Sequence, residues 1–357
     1  MRILMQNRTS SRYAIAGDSV QMRKTGEYLR KLGVEVEFDF TPEPDVREFD
    51  LVHLFNTIPI EDTYRQYRNA KRNRAKIVLS TVFWDPAEYL RYRKEPAAFA
   101  RWWEETQPLR QEVLAGVDLL LPNSHAELAL LRKIYDDLPP AVVVPNGVDS
   151  SFAWATGERF YRRWGRRDFL LSVGRISPRK NQLALIEAAG KLHLPLVLIG
   201  PLNDGLYYQE CRKKAAGVDC CFIDTMNPTE LASAYAAARV HALVSWYDTP
   251  GLVSLEAALG GCAIVTTDRG SAAEYFGEYA FYCQPDDVDS IVRALEAAWQ
   301  AGPEPLLAQK VLENYTWEKV AERTYAAYCL CLGHGSNTGL LEDGRGISDP
   351  LLGPEIE

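Results

Sequence analysis

Apolar and polar positions along the chain fall into blocks that read as strands separated by helices. Short apolar runs at residues 3–6, 34–40, 50–55, 77–82 and 117–121 are bounded by polar, Gly or Pro residues, as buried strands are. Residues 19–32 carry Val20, Tyr28, Leu29 and Leu32 as inward positions of a helix that Gly33 stops. A basic helix is expected over 63–76, and Ser124 suits the cap of a helix over 125–135. Residues 142–144 follow as a short strand, and the polar turn 145–149 closes the first array. The pattern then restarts. Strands are expected at 169–173, 196–199, 219–223, 241–244, 262–265 and 280–283, with helices at 182–189, 227–238, 255–259, 288–299 and 316–328. Residues 151–167 read as an aromatic, arginine-rich connector. Strand–helix–strand order implies parallel sheets with right-handed crossovers. The fold class is therefore α/β, with two βαβ arrays forming domains at 1–150 and 151–315.

Ligands of such sheets bind at the carboxyl ends of the strands, so the loops there carry the candidate chemistry. Residues 245–256, SWYDTPGLVSLE, run from a strand end into a helix. Gly251 lets backbone approach a ligand, and the N–H groups of Leu252, Val253 and the rest of the first turn point into the same space. Asp248 and Glu256 bracket the stretch. Glu256 suits hydrogen bonds from ribose hydroxyls, and equally suits the N-terminal end of a helix through the macrodipole. Asp248 suits the hydroxyls of a sugar. Another strand-end loop, 174–181, holds Gly174, Arg175 and Lys180, where fork and point charge can converge on a pyrophosphate or remain a solvated pair. Residues 270–274, GSAAE, form a third such turn. In the first array, Trp84-Asp85 follows a strand. His53 ends another strand and reads as either a cleft residue or a structural one.

Composition narrows this picture. With 357 residues, 47% of them apolar, the chain can bury two cores. A net charge of −8 argues against nucleic acid as the main partner. Residues 64–110 are locally basic, and the Trp-rich stretch 90–103 suits peripheral contact with an anionic membrane or a charged acceptor, or a plain solvated face. Seven cysteines show neither a disulfide framework nor zinc spacing, so a reduced, cytoplasmic setting without a metal site is expected. No signal peptide or spanning segment is expected. The tail 332–357 is polar and loose.

Together these motifs resemble the retaining, nucleotide-sugar-dependent glycosyltransferases of the GT-B fold, family 4 (glycosyl transferases group 1), over roughly residues 1–330. The resemblance implies that Gly174, Arg175 and Lys180 bind the donor's diphosphate, with Gly17 contributing from Ala16-Gly17. It implies that Asp248, where the family has glutamate, contacts the donor sugar, and that Glu256, after seven intervening residues, holds the ribose. Pro122-Asn123-Ser124 with Glu127 resembles the PNSxxE turn, and residues 270–274 stand where GGxPE is frequent. Trp84-Asp85 replaces a histidine–acid pair, so only Asp85 carries over, for acceptor or sugar. The helix at 316–331, with Trp317, corresponds to one that packs back across the domains. Residues near Ile223 and Met226 are expected to meet the base. The implied reaction transfers a sugar, from a UDP- or GDP-sugar, to a glycan, glycolipid or lipid-linked acceptor, with neither metal nor prosthetic group. Arg175, Lys180, Asp248 and Asp85 are the candidate catalytic residues. A nucleotide-sugar epimerase and a non-catalytic nucleotide-sugar binder are the alternatives.

Overall fold

The computed structural model describes residues 1–13, 16–93, 97–249 and 251–334. Its contacts divide the chain into two units. Unit 1 holds Met1–Phe83, Arg101–Pro145 and the residues from Ala321 on; unit 2 holds Trp84–Ala100 and Asn146–Val320. Each contains one fully parallel sheet with helices in its connections, the Rossmann-like arrangement of a GT-B fold. The tail expected at 332–357 lies, from residue 335 on, outside the described residues.

In unit 1, β1 (Arg2–Gln6), β2 (Glu35–Asp39), β3 (Leu51–Phe55), β4 (Ile77–Ser80) and β5 (Leu119–Leu121) lie in the order β2-β1-β3-β4-β5. β3, β4 and β5 are buried throughout because helices cover a parallel sheet on both faces. Leu4, Val52, Leu54, Leu79 and Leu120 pack with Val113, Leu114, Leu128 and Leu131 of the covering helices. The first helix runs Gly17–Lys31 and buries Met22, Tyr28 and Leu29. Two of its expected inward positions differ. Leu32 caps the helix and is 46% exposed, and Val20 is only half-buried, because the helix ends before its periodicity can turn Leu32 inward. Residues 142–144 form no strand: the Val142 N–H donates to the Leu120 carbonyl and the Val144 N–H to the Pro122 carbonyl, each at 2.9 Å, and the bridge to β5 is made by the preceding Ala141 with Leu120. His53 is a core residue: its ring nitrogens meet the Tyr328 hydroxyl at 2.7 Å and Ser80 Oγ at 2.9 Å, and burial depresses its pKa to about 3.

Ser124 accepts from the Glu127 N–H at 2.9 Å and caps helix His125–Ile134, as expected. Glu127 itself is fully buried. Its carboxylate accepts from the Thr81 hydroxyl, the Phe83 N–H at 2.8 Å and the Asn123 N–H at 3.0 Å. These bonds clamp the turn after β4, where Val82 sits at φ 45°, a strained setting for a β-branched residue. Glu127→Ala removes the acceptor for two buried N–H groups and should lower stability by about 2 kcal/mol, read as a lower urea midpoint. Burial raises the Glu127 carboxyl to about 7. The folded state then holds a proton the unfolded chain has released, so this contribution is full below the ordinary glutamate range and fades as pH rises through about 7. Glu127→Gln should remove that slope.

In unit 2, β6 (Leu170–Val173), β7 (Leu196–Ile199), β8 (Cys220–Ile223), β9 (Val240–Leu243), β10 (Ala263–Thr267) and β11 (Phe281–Cys283) lie in the order β11-β10-β9-β6-β7-β8. Alternate residues face opposite cores. Leu171 and Val173 join Val197, Ile199, Leu255 and Ile264; Leu170 joins Leu196, Leu198, Val240, Leu185 and Ile291. Four helices lie outside the expected set: Glu158–Trp164 inside the supposed connector, Gly205–Lys214 capped by Asp204, Ala272–Phe276 in the supposed turn 270–274, and Pro305–Asn314 capped by Glu304. The chain runs from β6 outward through β7 and β8, then returns to place β9 on the other side of β6. The loops after β6 and β9 therefore leave adjacent strands in diverging directions, which opens a crevice at their carboxyl ends.

Candidate functional site

The loop after β6 begins at Gly174, whose N–H donates to the Ile199 carbonyl at 2.9 Å. It makes one turn, Pro178–Lys180, and ends at Asn181 with φ 59°. Asn181 donates to the carbonyls of Val244 at 3.2 Å and Pro285 at 2.7 Å, and the Trp246 N–H donates to the Arg179 carbonyl at 3.0 Å. These bonds fasten the loop to the segment after β9 and aim its cations there. Lys180 Nζ donates to both carboxylate oxygens of Asp248, at 2.8 and 2.9 Å. Arg179 donates to the Tyr247 carbonyl at 2.5 Å and to Asp248 at 3.4 Å, and its guanidinium lies 5.8 Å from the Trp84 ring centre.

The Lys180 and Asp248 side chains are 12% and 15% exposed, so the pair is largely out of water. Burial depresses the Lys180 ammonium to about 8, with repulsion from Arg179 and Arg175 adding to it and Asp248 opposing it. Burial alone would raise Asp248; the attraction of Lys180 and Arg179 outweighs it and holds the carboxyl below its usual range. Arg175 is exposed and lies within electrostatic reach of Lys180.

Helix Leu252–Leu259 starts at Gly251, with φ 93°, and no side chain caps it. A β-carbon at Gly251 would lie 2.5 Å from Leu243 Cδ2, so backbone approaches the strand end there as only glycine permits. Ser254 Oγ is buried in the first turn without a hydrogen-bond partner. Glu256 is half-buried and accepts from the Tyr235 hydroxyl at 2.8 Å. Burial, with repulsion from Asp149, raises its carboxyl to about 7 despite that bond. His241 of β9 links the two carboxylate sites: its ring is 5.8 Å from that of Tyr235 and feels the charges of Lys180 and Asp248. The third turn joins as well, since Gly270 bridges Asp248 in parallel register and the Ser271 N–H donates to the Asp248 carbonyl at 3.4 Å.

The crevice of unit 2 thus gathers Gly174, Lys180, Asp248 and Gly251, with Glu256 one helical turn further on. Leu252 is half-buried at the helix start. Ile223, Met226 and Val253 share one apolar cluster. Asp85 accepts from the Ala87 N–H at 2.9 Å and so starts the next helix, while its neighbour Trp84 stacks on Tyr247 with ring centres 5.7 Å apart. Gly17 belongs to unit 1, as the first residue of helix Gly17–Lys31, with open space where a β-carbon would stand. Arg179, Tyr235 and Tyr247 are the contributors that the sequence did not single out as site residues. Arg179 carried a signal, as a third cation in the loop; Tyr235 carried none, being 21 residues from its partner on another helix. Among the described residues, no group of three or more His, Cys, Asp or Glu is assembled to hold a metal ion.

Residues 158–309 match the family described as glycosyl transferases group 1. A D-inositol 3-phosphate glycosyltransferase from Kribbella flavida is 31% identical over 245 residues, 61% of this chain and 58% of that protein. The chain spans a little over half the length of this curated relative and of the Rhodococcus erythropolis one, at 58% and 55%. Sucrose-phosphate synthase from Thermosynechococcus elongatus is similar in structure, with a TM-score of 0.79 over 94% of this chain and 100% of that one, at 16% identity. Anabaena HepE, solved with UDP and glucose, has a TM-score of 0.69 over 92% and 100%, at 16% identity.

Proposed function

Because residues 158–309 match the family described as glycosyl transferases group 1, we propose that the chain is a retaining glycosyltransferase. It moves a sugar from a nucleoside-diphosphate sugar to a glycan, glycolipid or lipid-linked acceptor. The observation that carries this reading is the convergence, at one strand crossover, of a buried lysine, an uncapped helix start and two carboxylates. Cations and free amides suit the diphosphate. Carboxylates there suit hydroxyls, since they repel phosphate and only accept hydrogen bonds.

In this mechanism Glu256 accepts from the ribose hydroxyls and Asp248 from those of the donor sugar. Ile223 and Met226 lie beside the base, and Asp85 beside the acceptor. The bond from C1 to the phosphate oxygen breaks, and charge grows on the diphosphate. Lys180, Arg175 and the first-turn amides of Leu252 and Val253 stabilise it. The acceptor oxygen attacks C1 from the same face, and its proton passes to the departing phosphate. For a lipid-linked acceptor, the basic stretch 90–103, exposed at Arg91, Tyr92 and Arg101, is the proposed membrane contact.

A panel of UDP-, GDP-, ADP- and dTDP-sugars should contain at least one that raises the melting temperature, and product analysis with acceptor should show a new glycoside. Stabilisation without any product would leave a binding protein. For Glu256, donor affinity should rise with pH across about 7, as the raised carboxyl ionises and becomes the better acceptor. Glu256→Gln should flatten that profile and weaken donor binding about tenfold, the scale of a lost charged hydrogen bond. Calorimetry at pH 6 and 8 decides it, and an unchanged profile would remove Glu256 from the ribose.

A further inference from the structure

We propose that Asp248 reads whether a sugar is still attached to the diphosphate, by moving its carboxylate between Lys180 and the sugar hydroxyls. This rests on the function proposed above and deepens it.

Without donor, Lys180 is already engaged: two of its three N–H bonds go to the two oxygens of Asp248. Both side chains are largely buried. Such a pair does not open freely, because the Lys180 ammonium would be left without an anion where water cannot replace it. The carboxylate therefore holds the place of a phosphate at Lys180. An incoming diphosphate takes Lys180 and displaces Asp248.

The displaced carboxylate has little freedom. Its main chain is fixed by the bridge to Gly270 and the bond from Ser271, so only the side chain can turn. Arg179 is itself tied to the Tyr247 carbonyl and stays beside it. The carboxylate is then left next to a second anion. A nucleoside diphosphate alone offers it no donor and adds repulsion. A nucleotide sugar presents hydroxyls next to the phosphate, and Asp248 regains hydrogen bonds. The free energy of displacing Asp248 is thus offset only when the sugar is present. After transfer the offset disappears, Asp248 returns to Lys180, and product release is favoured.

The test compares matched pairs by calorimetry: UDP with UDP-glucose, and GDP with GDP-mannose, on the wild type, Asp248→Asn and Asp248→Ala. Inorganic pyrophosphate is the minimal probe. For the pair that the wild type binds, the nucleotide sugar should be preferred over the free nucleotide. Both variants should bind free nucleotide and pyrophosphate about tenfold more tightly, because no internal anion competes for Lys180. The preference for the sugar-bearing form should shrink or reverse. Product inhibition should deepen in the Asn variant, which keeps the side chain's shape. If both variants bind free nucleotide no better than the wild type while the wild type binds nucleotide sugar, this inference fails and the proposed function stands. If the variants lose both ligands equally, Asp248 is only structural and the inference fails as well. If the wild type binds none of the UDP-, GDP-, ADP- and dTDP-sugars of the panel, both readings fall.

Discussion

Lys180→Ala should lower turnover about a thousandfold while the melting temperature stays close to that of the wild type, the scale seen when one charge-stabilising donor is lost at a reacting centre. The reason is where the charge goes. As C1 leaves the diphosphate, negative charge grows on the phosphate oxygens, and Lys180 is the buried cation aimed at that crevice. Its partner in the free protein keeps Arg179 at 3.4 Å, so removing the ammonium does not strand Asp248 without a cation. Lys180→Arg should recover only part of the rate, since a planar fork replaces a compact point charge. The depressed Lys180 ammonium adds a second readout. The free enzyme loses this charge as pH rises through about 8, so kcat/KM should fall above that value, and Lys180→Arg should not show the fall. Initial rates beside thermal melts measure both. Lys180→Ala retaining a tenth or more of wild-type turnover would overturn the role.

Much of this site was legible because its parts are local in sequence. The apolar runs of β6 and β9, Gly174 and Gly251 in the loops after them, and the acids after β9 each sit within a short window. The parallel sheet follows from the βαβ order, while the return that sets β9 beside β6 appears only in the strand order. What was not legible depends on long-range contact. Arg175, Arg179 and Lys180 look alike in the sequence. Only the tether of Asn181 to the Val244 and Pro285 carbonyls decides that Lys180 and Arg179 reach Asp248 while Arg175 stays exposed. Tyr235 meets Glu256 because helix Pro228–Ala237 packs beside helix Leu252–Leu259. Trp84 and Tyr89 group with unit 2 through stacking on Tyr247 and contact with Trp246, which no local pattern encodes. Glu127 was legible as part of a motif, but its work, holding a strained Val82, appears only once the β4 turn is seen.

Gly200→Ala should be among the most damaging small substitutions in unit 2, lowering stability by about 4 kcal/mol, as backbone strain and overpacking add. Gly200 follows β7, and its N–H donates to the Ile223 carbonyl at 3.0 Å, so its backbone is fixed in the sheet. A β-carbon there would stand 2.1 Å from the Gly174 carbonyl oxygen and 2.6 Å from its carbon, at a φ of 152°. The obstacle is main chain, and Gly174 is held in turn by its own bond to Ile199. Neither side can yield by rotating a side chain. Relief has to come from shifting the loop that carries Arg175 and Lys180, so whatever fraction folds should also bind nucleotide sugar poorly. A loss of this size is a large share of the roughly 5–15 kcal/mol that holds a domain folded. Gly17→Ala is the control: a β-carbon there meets nothing within 4 Å, and stability should hold. Urea denaturation of both variants, with donor calorimetry on the folded fraction of Gly200→Ala against the wild type, measures the contrast. A Gly200→Ala protein with the wild-type midpoint and donor affinity would mean that the loops after β6 and β7 do not support each other in this way.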